Sequence, residues 1–339
     1  MCVSKDWLSQ LSSPKFIMTH QNTLNQKHFI LQSDKSLLNS LPFNFNTHLK
    51  HVSKVRLDLP IQSFSYTVCG SCNGLVLLSY LDFVWNLRVL NPTTKESIQI
   101  PELGFERLNN LFGFGYDSLT DDYKLVRIYF LTRSRTKFFY VYRLRTKFWT
   151  RLMDVPSDDN LILVNNSLLP GVFVNGILHW FAKKLSDDLP VIVAFGLADE
   201  KFNEVPIPNL LNHVDMDHDI QLFDLGGKLG IFLCTAGTIW LMNEYGVKES
   251  WTKIVLRGFN EHKPVYHYNK VYQFNIFYDK GKLLVTDHYH RLLIYDIQGR
   301  HLSETGEILF DEFEITIKGS YVESLVSPKL NWKSLKVHS

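Results

Sequence analysis

The residues whose types and spacing most readily suggest chemistry are two cysteines, Cys69 and Cys72, in a Cys-x-x-Cys arrangement. Such a pair at the start of a helix lowers the pKa of one thiol for redox exchange, and two such pairs can hold zinc. Here the pair lies between apolar runs and is followed by Asn73-Gly74, which is typical of a tight turn between strands. No second Cys-x-x-Cys occurs, so we predict a structural role for both cysteines.

A second arrangement that could bind a metal is a set of histidines close to aspartates. Its members are His213, His218, His288 and His290. Their spacing matches no common ligand pattern, so we favour solvated loops over a metal site. Gly113-Phe114-Gly115 lacks the third glycine and the following helix of a dinucleotide-binding fingerprint, and no Gly-x-Ser-x-Gly elbow occurs. We therefore predict no catalytic, cofactor-binding or metal-binding residues, and a protein that is not an enzyme.

Composition and charge restrict the class of protein further. The 339 residues carry a formal net charge of +2, and lysine and arginine are scattered along the chain, so nucleic acid is not an expected partner. No apolar run is long enough to span a membrane, and the N-terminus does not read as a signal peptide. The four cysteines suggest no disulfide framework. We expect a cytoplasmic or nuclear protein, or one found in both compartments.

The elements that would position a functional surface are short strands in a repeating order. Turn residues follow a third strand near five positions that are 53, 53, 46 and 53 residues apart: Asn91, Leu144, Leu197, Asn243 and Asp296. Each unit reads as four antiparallel strands, and a period near 50 is typical of kelch-type β-propeller blades. An N-terminal hairpin near residues 28–60 and strands near 314–326 could form a sixth blade. The predicted fold is all-β, a propeller of six blades, with five or seven as alternatives and a pair of β-sandwiches as the runner-up.

Several motifs resemble those of a known family. Ser71-Cys72-Asn73-Gly74, Asn91-Pro92-Thr93-Thr94-Lys95, Gly113-Phe114-Gly115-Tyr116-Asp117 and Asn175-Gly176-Ile177-Leu178-His179-Trp180 are similar to the F-box-associated domain of plant F-box/kelch-repeat and S-locus F-box-like proteins. Residues 1–20, with Ser13-Pro14 after a short amphipathic stripe, resemble the closing third of an F-box. The resemblance divides the chain into an F-box remnant at 1–20 and an F-box-associated propeller at 28–330.

This resemblance implies the substrate-recognition subunit of an SCF-type ubiquitin ligase, with a Skp-type adaptor, a cullin and a target protein as partners. The matching positions for adaptor contact are Cys2, Val3, Lys5 and Trp7. The family's opening Leu-Pro pair and Ile-Leu-x-x-Leu-Pro helix have no counterpart here. We therefore keep open the alternative of a stand-alone propeller interaction module, or a truncated product, without adaptor binding.

The target would bind to the propeller loops that join blades and that join the second strand of a blade to the third, because these emerge on one face of a rigid scaffold. Aromatic and arginine side chains are the usual anchors of such interfaces. The candidates in these loops are Trp85, Phe105, Arg107, Arg133, Arg135, Lys137, Lys183, His262, Tyr266 and Tyr268.

Overall fold

A computed structural model describes residues 26–33, 37–43, 55–57, 66–82, 84–103, 110–130, 137–153, 161–163, 170–184, 186–187, 189–208, 220–234, 236–259, 275–286, 292–305 and 316–329. These residues form a six-bladed β-propeller, which confirms the predicted fold and the preferred blade number. The predicted helical segment at 1–20 lies outside the described residues. Among the described residues, no helix is long and apolar enough to cross a membrane.

Blades 1 and 2 each have four antiparallel strands in sequence order. Their strands are β4 (Tyr66–Cys72), β5 (Leu75–Asp82), β6 (Val84–Asn91) and β7 (Glu96–Ile100), then β8 (Asn110–Asp117), β9 (Asp122–Phe130), β10 (Lys137–Arg143) and β11 (Phe148–Leu152). Blades 4 and 5 repeat this order. Their strands are β17 (Ile220–Asp224), β18 (Leu229–Leu233), β19 (Thr238–Met242) and β20 (Trp251–Val255), then β21 (Asn275–Asp279), β22 (Lys282–Thr286), β23 (Leu292–Asp296) and β24 (His301–Thr305). A 3-10 turn, Lys248–Ser250, precedes β20.

Blade 3 departs from the predicted pattern at its innermost strand. Its strands are β12 (Leu161–Leu163), β13 (Val172–Val174), β14 (Ile177–Lys184), β15 (Pro190–Gly196) and β16 (Phe202–Val205). Both β12 and β13 pair antiparallel with β14, at its end and at its start respectively, so the inner strand is divided in two. The repeat pattern of the sequence did not indicate β12, because a three-residue strand supplies too few positions for a period to show.

Blade 6 closes the ring by joining both ends of the described chain. Its strands are β1 (Lys27–Ser33), β2 (Leu37–Pro42), β3 (Val55–Leu57) and β25 (Thr316–Val322). β25 pairs with β1 and occupies the innermost position, so the blade combines three N-terminal strands with one C-terminal strand. This arrangement confirms the predicted sixth blade. The inner strands of adjacent blades contact one another around the whole ring.

The hydrophobic core is distributed over the interfaces between blades. The described residues form six apolar clusters, one between each pair of adjacent blades, including the pair formed by blades 6 and 1. The strands β5, β18 and β22 are central in their sheets and carry consecutive buried residues, for example Leu75 to Leu78, all at most 1% exposed. Strands covered on both faces need apolar residues at every position. Each blade is therefore stabilised chiefly by its neighbours.

Asn91, at the end of β6, fastens the C-terminal segment to blade 1. Its side-chain oxygen accepts hydrogen bonds from the backbone N–H groups of Thr93 (2.8 Å) and Thr94 (3.3 Å), which fixes the following turn. Its amide nitrogen donates to the backbone carbonyls of Ser324 (2.9 Å) and Val326 (2.7 Å). Asn91 and Ser324 are both fully buried. One side chain thus forms a turn and closes the ring.

Lys124, in β9, connects blades 2 and 3 through a buried ionic network. Its ammonium nitrogen lies 3.0 Å from an Asp117 carboxylate oxygen and 2.9 Å from a Glu200 carboxylate oxygen, and it donates to the Leu197 carbonyl at 2.6 Å. Lys124 and Asp117 are 2% and 1% exposed. Burial raises the pKa of Asp117, but hydrogen bonds from Thr120 and Lys124 outweigh burial and hold that pKa below its usual value.

His179, in β14, connects blades 3 and 4 as a neutral imidazole. Its Nδ1 lies 3.1 Å from the Val172 carbonyl oxygen, which can only accept, so Nδ1 carries the proton. Its Nε2 then accepts from the Tyr245 hydroxyl at 2.8 Å. The imidazole is fully buried, and burial lowers the pKa of His179 to about 4.

Candidate binding surface

The two ends of the propeller differ in the connections that they carry. The tight turns at 73–74, 118–121, 175–176, 225–228 and 280–281 join first to second strands and emerge at one end, which we call the turn face. The opposite end carries the connections between blades and those between second and third strands, and we call it the loop face. Strands alternate in direction within a blade, so this assignment follows from the strand order.

The structure describes three of the predicted target-binding residues, and all three lie in strands. Trp85 is the second residue of β6 and is paired with Leu81 in β5. Lys137 begins β10, and Lys183 is the penultimate residue of β14. Their assignment to loops was wrong, because strand pairing continues further toward the loop face than the turn residues indicated. They stand on three successive blades, at the loop-face ends of their strands.

The other predicted contact residues lie outside the described residues, and their roles stay predictions. They are Phe105, Arg107, Arg133, Arg135, His262, Tyr266 and Tyr268 for the target, and Cys2, Val3, Lys5 and Trp7 for the adaptor. The four histidines weighed as metal ligands, His213, His218, His288 and His290, also lie there. Within the described part of the chain, no group of three or more metal-ligating side chains occurs.

Sequence reasoning missed a cationic and aromatic cluster at the loop-face end of blade 2. The Tyr129 and Phe138 rings lie 6.0 Å apart, and the Arg151 guanidinium carbon lies 4.8 Å from the centre of the Phe138 ring. Arg127, which is 8% exposed, donates from Nε to the Asn110 side-chain oxygen at 2.8 Å. Burial lowers the pKa of Arg127. In the sequence, the signal for this cluster was an arginine, Arg127, and an aromatic residue, Tyr129, two positions apart in one strand.

The cluster lies at the end of blade 2 that carries the connection between β9 and β10. Arg127 and Tyr129 are buried there, Phe138 is half-buried and Arg151 is exposed. That connection includes the predicted Arg133 and Arg135. Arginine and aromatic side chains supply most of the binding energy at protein interfaces. Phe138 and Arg151 therefore give this end of blade 2 a partly exposed aromatic and cationic surface.

A cavity of about 330 Å³ lies among the inner strands of the ring. Its lining includes Lys27, Asp224, Tyr278 and Lys318. The Lys27 ammonium donates to the Tyr278 carbonyl, and burial lowers the pKa of Lys27 although Asp279 and Asp224 oppose this shift. Burial also lowers the pKa of Lys318. The described lining of the cavity combines backbone, apolar and charged groups.

The Cys-x-x-Cys pair and the glycine motif at 113–115 both have structural roles in the folded protein. Cys69 and Cys72 lie in β4 and are both buried, and burial raises the pKa of each thiol to about 12. Thiols with so high a pKa are poor nucleophiles. Gly115 lies in β8, where a Cβ atom would stand 2.3 Å from the Phe173 ring of blade 3. Close packing between blades therefore explains this glycine, in place of phosphate binding.

The fold defines the class of the protein as a closed β-propeller of six blades. Residues 26–305 match the family described as the F-box associated beta propeller domain, and the chain belongs to that family. The chain is similar to three proteins of Arabidopsis thaliana. It is 28% identical to F-box protein At3g07870 over 279 residues, 26% identical to F-box/kelch-repeat protein At3g23880 over 275, and 29% identical to F-box protein CPR1 over 336.

These alignments cover 75%, 75% and 89% of this chain and 66%, 72% and 78% of the respective relatives. The chain thus spans about two thirds to three quarters of the length of the relatives that it matches. The family resemblance predicted from the motifs is confirmed.

Proposed function

We propose that this protein is the target-recognition subunit of an SCF-type ubiquitin ligase, without catalytic activity of its own. The observation that carries the proposal is its membership of the F-box-associated propeller family, together with relatives named F-box proteins. In this role the propeller holds a target protein on its loop face. A Skp-type adaptor and a cullin bind through residues 1–20, and other subunits perform ubiquitin transfer.

The chemistry of the described residues supports a binding role. The Cys-x-x-Cys thiols are buried with raised pKa values, and the buried imidazole of His179 is engaged by Val172 and Tyr245, so these reactive side chains serve the scaffold. The loop-face end of blade 2 supplies the arginine and aromatic groups that protein interfaces use. An intracellular site of action, cytoplasmic or nuclear, belongs to the proposal, and a fluorescent fusion of the full chain tests it.

Adaptor binding is tested by co-purifying the full chain with a Skp-type adaptor. The proposal expects a complex that is lost when Trp7 and Val3 are both replaced with Ala. A chain with an added Leu-Pro-containing F-box opening serves as the positive control. If only that control binds the adaptor, the protein acts as a stand-alone interaction module and the ligase proposal is wrong for this chain.

Target recognition is tested separately by affinity capture from the native tissue. Simultaneous replacement of Arg133, Arg135 and Lys137 with Ala should reduce the captured amount of the main target several-fold without lowering the thermal unfolding temperature. The matched control replaces three exposed lysines of other regions, Lys201, Lys248 and Lys329, with Ala. Equal capture by both triple variants would exclude the blade 2 loop as the contact site.

A further inference from the structure

The cavity of about 330 Å³ at the centre of the ring has the size of a small-molecule site, since ligand pockets in proteins measure roughly 300–1,000 Å³. Residues of β4, β8, β13, β17, β21 and β25 line it, so all six blades contribute. Asn73 and Gly74, in the turn after β4, also belong to the lining. The cavity therefore reaches the turn face, at the opposite end of the propeller from the loop face.

Lys318 occupies an irregular position in β25, the inner strand of blade 6. In the pairing of β25 with β1, Gly319 lies opposite Ile30. The next pair is Ile317 with Leu31, so Lys318 is an extra residue without a partner in β1. A β-bulge of this kind re-aims a side chain, and bulges are common beside functional sites. Since Lys318 also lines the cavity, the bulge brings a cation to the centre of the ring.

The positive charge of Lys318 has no counter-charge among the described residues. Lys318 is half-buried and forms no hydrogen bond or ion pair with another described residue. Burial lowers the pKa of Lys318, and no charged group of the described residues opposes that shift. Lys27 differs, because its ammonium donates to the Tyr278 carbonyl, and Asp279 and Asp224 oppose the lowering of its pKa. An anionic ligand would thus gain most from contact with Lys318, whose charge is partly removed from water without a partner.

Polar groups for further contacts belong to the same lining. Ser71, Gln221 and Ser320 line the cavity, and their side chains form no hydrogen bond with other described residues. Hydroxyl and amide groups can donate hydrogen bonds to a carboxylate. The described lining includes two lysines and one carboxylate, that of Asp224, which accepts a hydrogen bond from the Gly227 N–H at 2.8 Å. The lysines outnumber the carboxylate by one, which favours a ligand with a single negative charge.

We propose that the central cavity binds a small organic molecule with one carboxylate, and that this carboxylate pairs with the Lys318 ammonium. Ser71, Gln221 and Ser320 donate hydrogen bonds to polar atoms of the ligand, and apolar residues of the inner strands contact its remaining surface. A single ammonium is a point charge and lacks the fork of donors with which arginine holds phosphate. The site is separate from the loop face, and it requires neither adaptor binding nor the proposed ligase role.

The test measures binding of para-(trifluoromethyl)benzoate to the full chain by fluorine NMR. The proposal expects saturable binding, because the probe combines one carboxylate with a compact apolar body. Lys318→Met keeps the length of the side chain and removes its charge, and it should weaken binding at least about tenfold. The neutral probe para-(trifluoromethyl)benzamide should bind the original chain at least about tenfold more weakly than the benzoate.

Thermal unfolding separates ligand binding from a structural role of Lys318. Lys318→Met removes a partly buried charge that has no partner, so its unfolding temperature should equal or exceed that of the original chain. The matched control, Lys201→Met, removes the charge of an exposed lysine elsewhere. It should bind the benzoate within about twofold of the original chain, since salt screens distant charges.

Four results would overturn the proposal. They are no binding of the benzoate by the original chain, equal weakening in the Lys318 and Lys201 variants, equal affinity for the benzamide, and a lower unfolding temperature of Lys318→Met, which would reveal an ion pair within the protein. Displacement of the benzoate by inorganic phosphate at a lower concentration than by acetate would show a phosphate site and would also overturn the carboxylate assignment.

Discussion

Replacing Asn91 with Asp or Ala tests the reasoning about ring closure most directly. The side chain does two different things: its oxygen holds the turn at Thr93 and Thr94, and its amide nitrogen donates to the carbonyls of Ser324 and Val326. Asp keeps an oxygen for the turn but replaces the donor with an acceptor that faces two carbonyls. The two variants therefore separate turn formation from attachment of the C-terminal segment.

The size of the effect follows from burial. A buried group left without its hydrogen-bond partner costs about 1–3 kcal/mol, and Asn91→Ala removes the donor from two carbonyls, so the free energy of unfolding should fall by about 2–4 kcal/mol. Asn91→Asp should cost at least as much, because it also places a carboxylate against carbonyl oxygens at a fully buried position. Asn243 is the matched control. It stands at the equivalent end of the third strand in blade 4 and donates to Ser250 and Thr252 at 3.0 Å, but it is exposed.

Urea unfolding followed by tryptophan fluorescence gives the free energies, and hydrogen exchange shows whether the segment detaches. We expect Asn243→Ala to cost about 0.5–1.5 kcal/mol, since water replaces its exposed partners. We also expect faster exchange of the Val326 amide in both Asn91 variants. The reasoning is refuted if Asn91→Asp is as stable as the original protein, or if the Ala variants at the two positions lose equal stability.

Three further predictions concern buried polar groups. The folded-state pKa of His179, about 4, lies below the unfolded value of 6.5, so its contribution to stability is complete above pH 6.5 and is lost as pH falls. The difference in unfolding free energy between the original protein and His179→Gln should therefore shrink by about 3 kcal/mol from pH 7 to pH 4, and a pH-independent difference would contradict the burial argument. Lys124→Met leaves a buried carboxylate without its cation and should cost about 3–5 kcal/mol in urea unfolding, whereas Lys184→Met breaks a pair 37% and 43% exposed and should cost under about 1 kcal/mol. Iodoacetamide at pH 8 should label Cys69 and Cys72 only in urea concentrations that unfold the protein, and rapid labelling of the native state, located by mass spectrometry, would show that the thiols are accessible.

Local patterns carried the fold prediction. The residues that form the tight turns recur with a nearly constant period, and Asn73 and Asn175 adopt the positive φ angles, 50° and 47°, that asparagine tolerates. The consecutive apolar residues of β5 predicted a strand covered on both faces, and Leu75 to Leu78 are buried as expected. Turn chemistry and burial of this kind act over a few neighbouring residues, so the sequence alone favoured six blades, over five or seven, and a sixth blade built from both chain ends.

Contacts between distant segments were decided only by the tertiary structure. The motif residues Asn91 and His179 were recognisable as family features, but their partners lie on the C-terminal segment and on another blade. Lys124 likewise pairs with Glu200 of the next blade. The rotation of one blade against the next determines which side chains meet, and no local pattern encodes that rotation. Two features within single blades were missed for other reasons: β12 is too short to show a period, and the arginine and aromatic cluster of blade 2 forms only when β9, β10 and β11 pair.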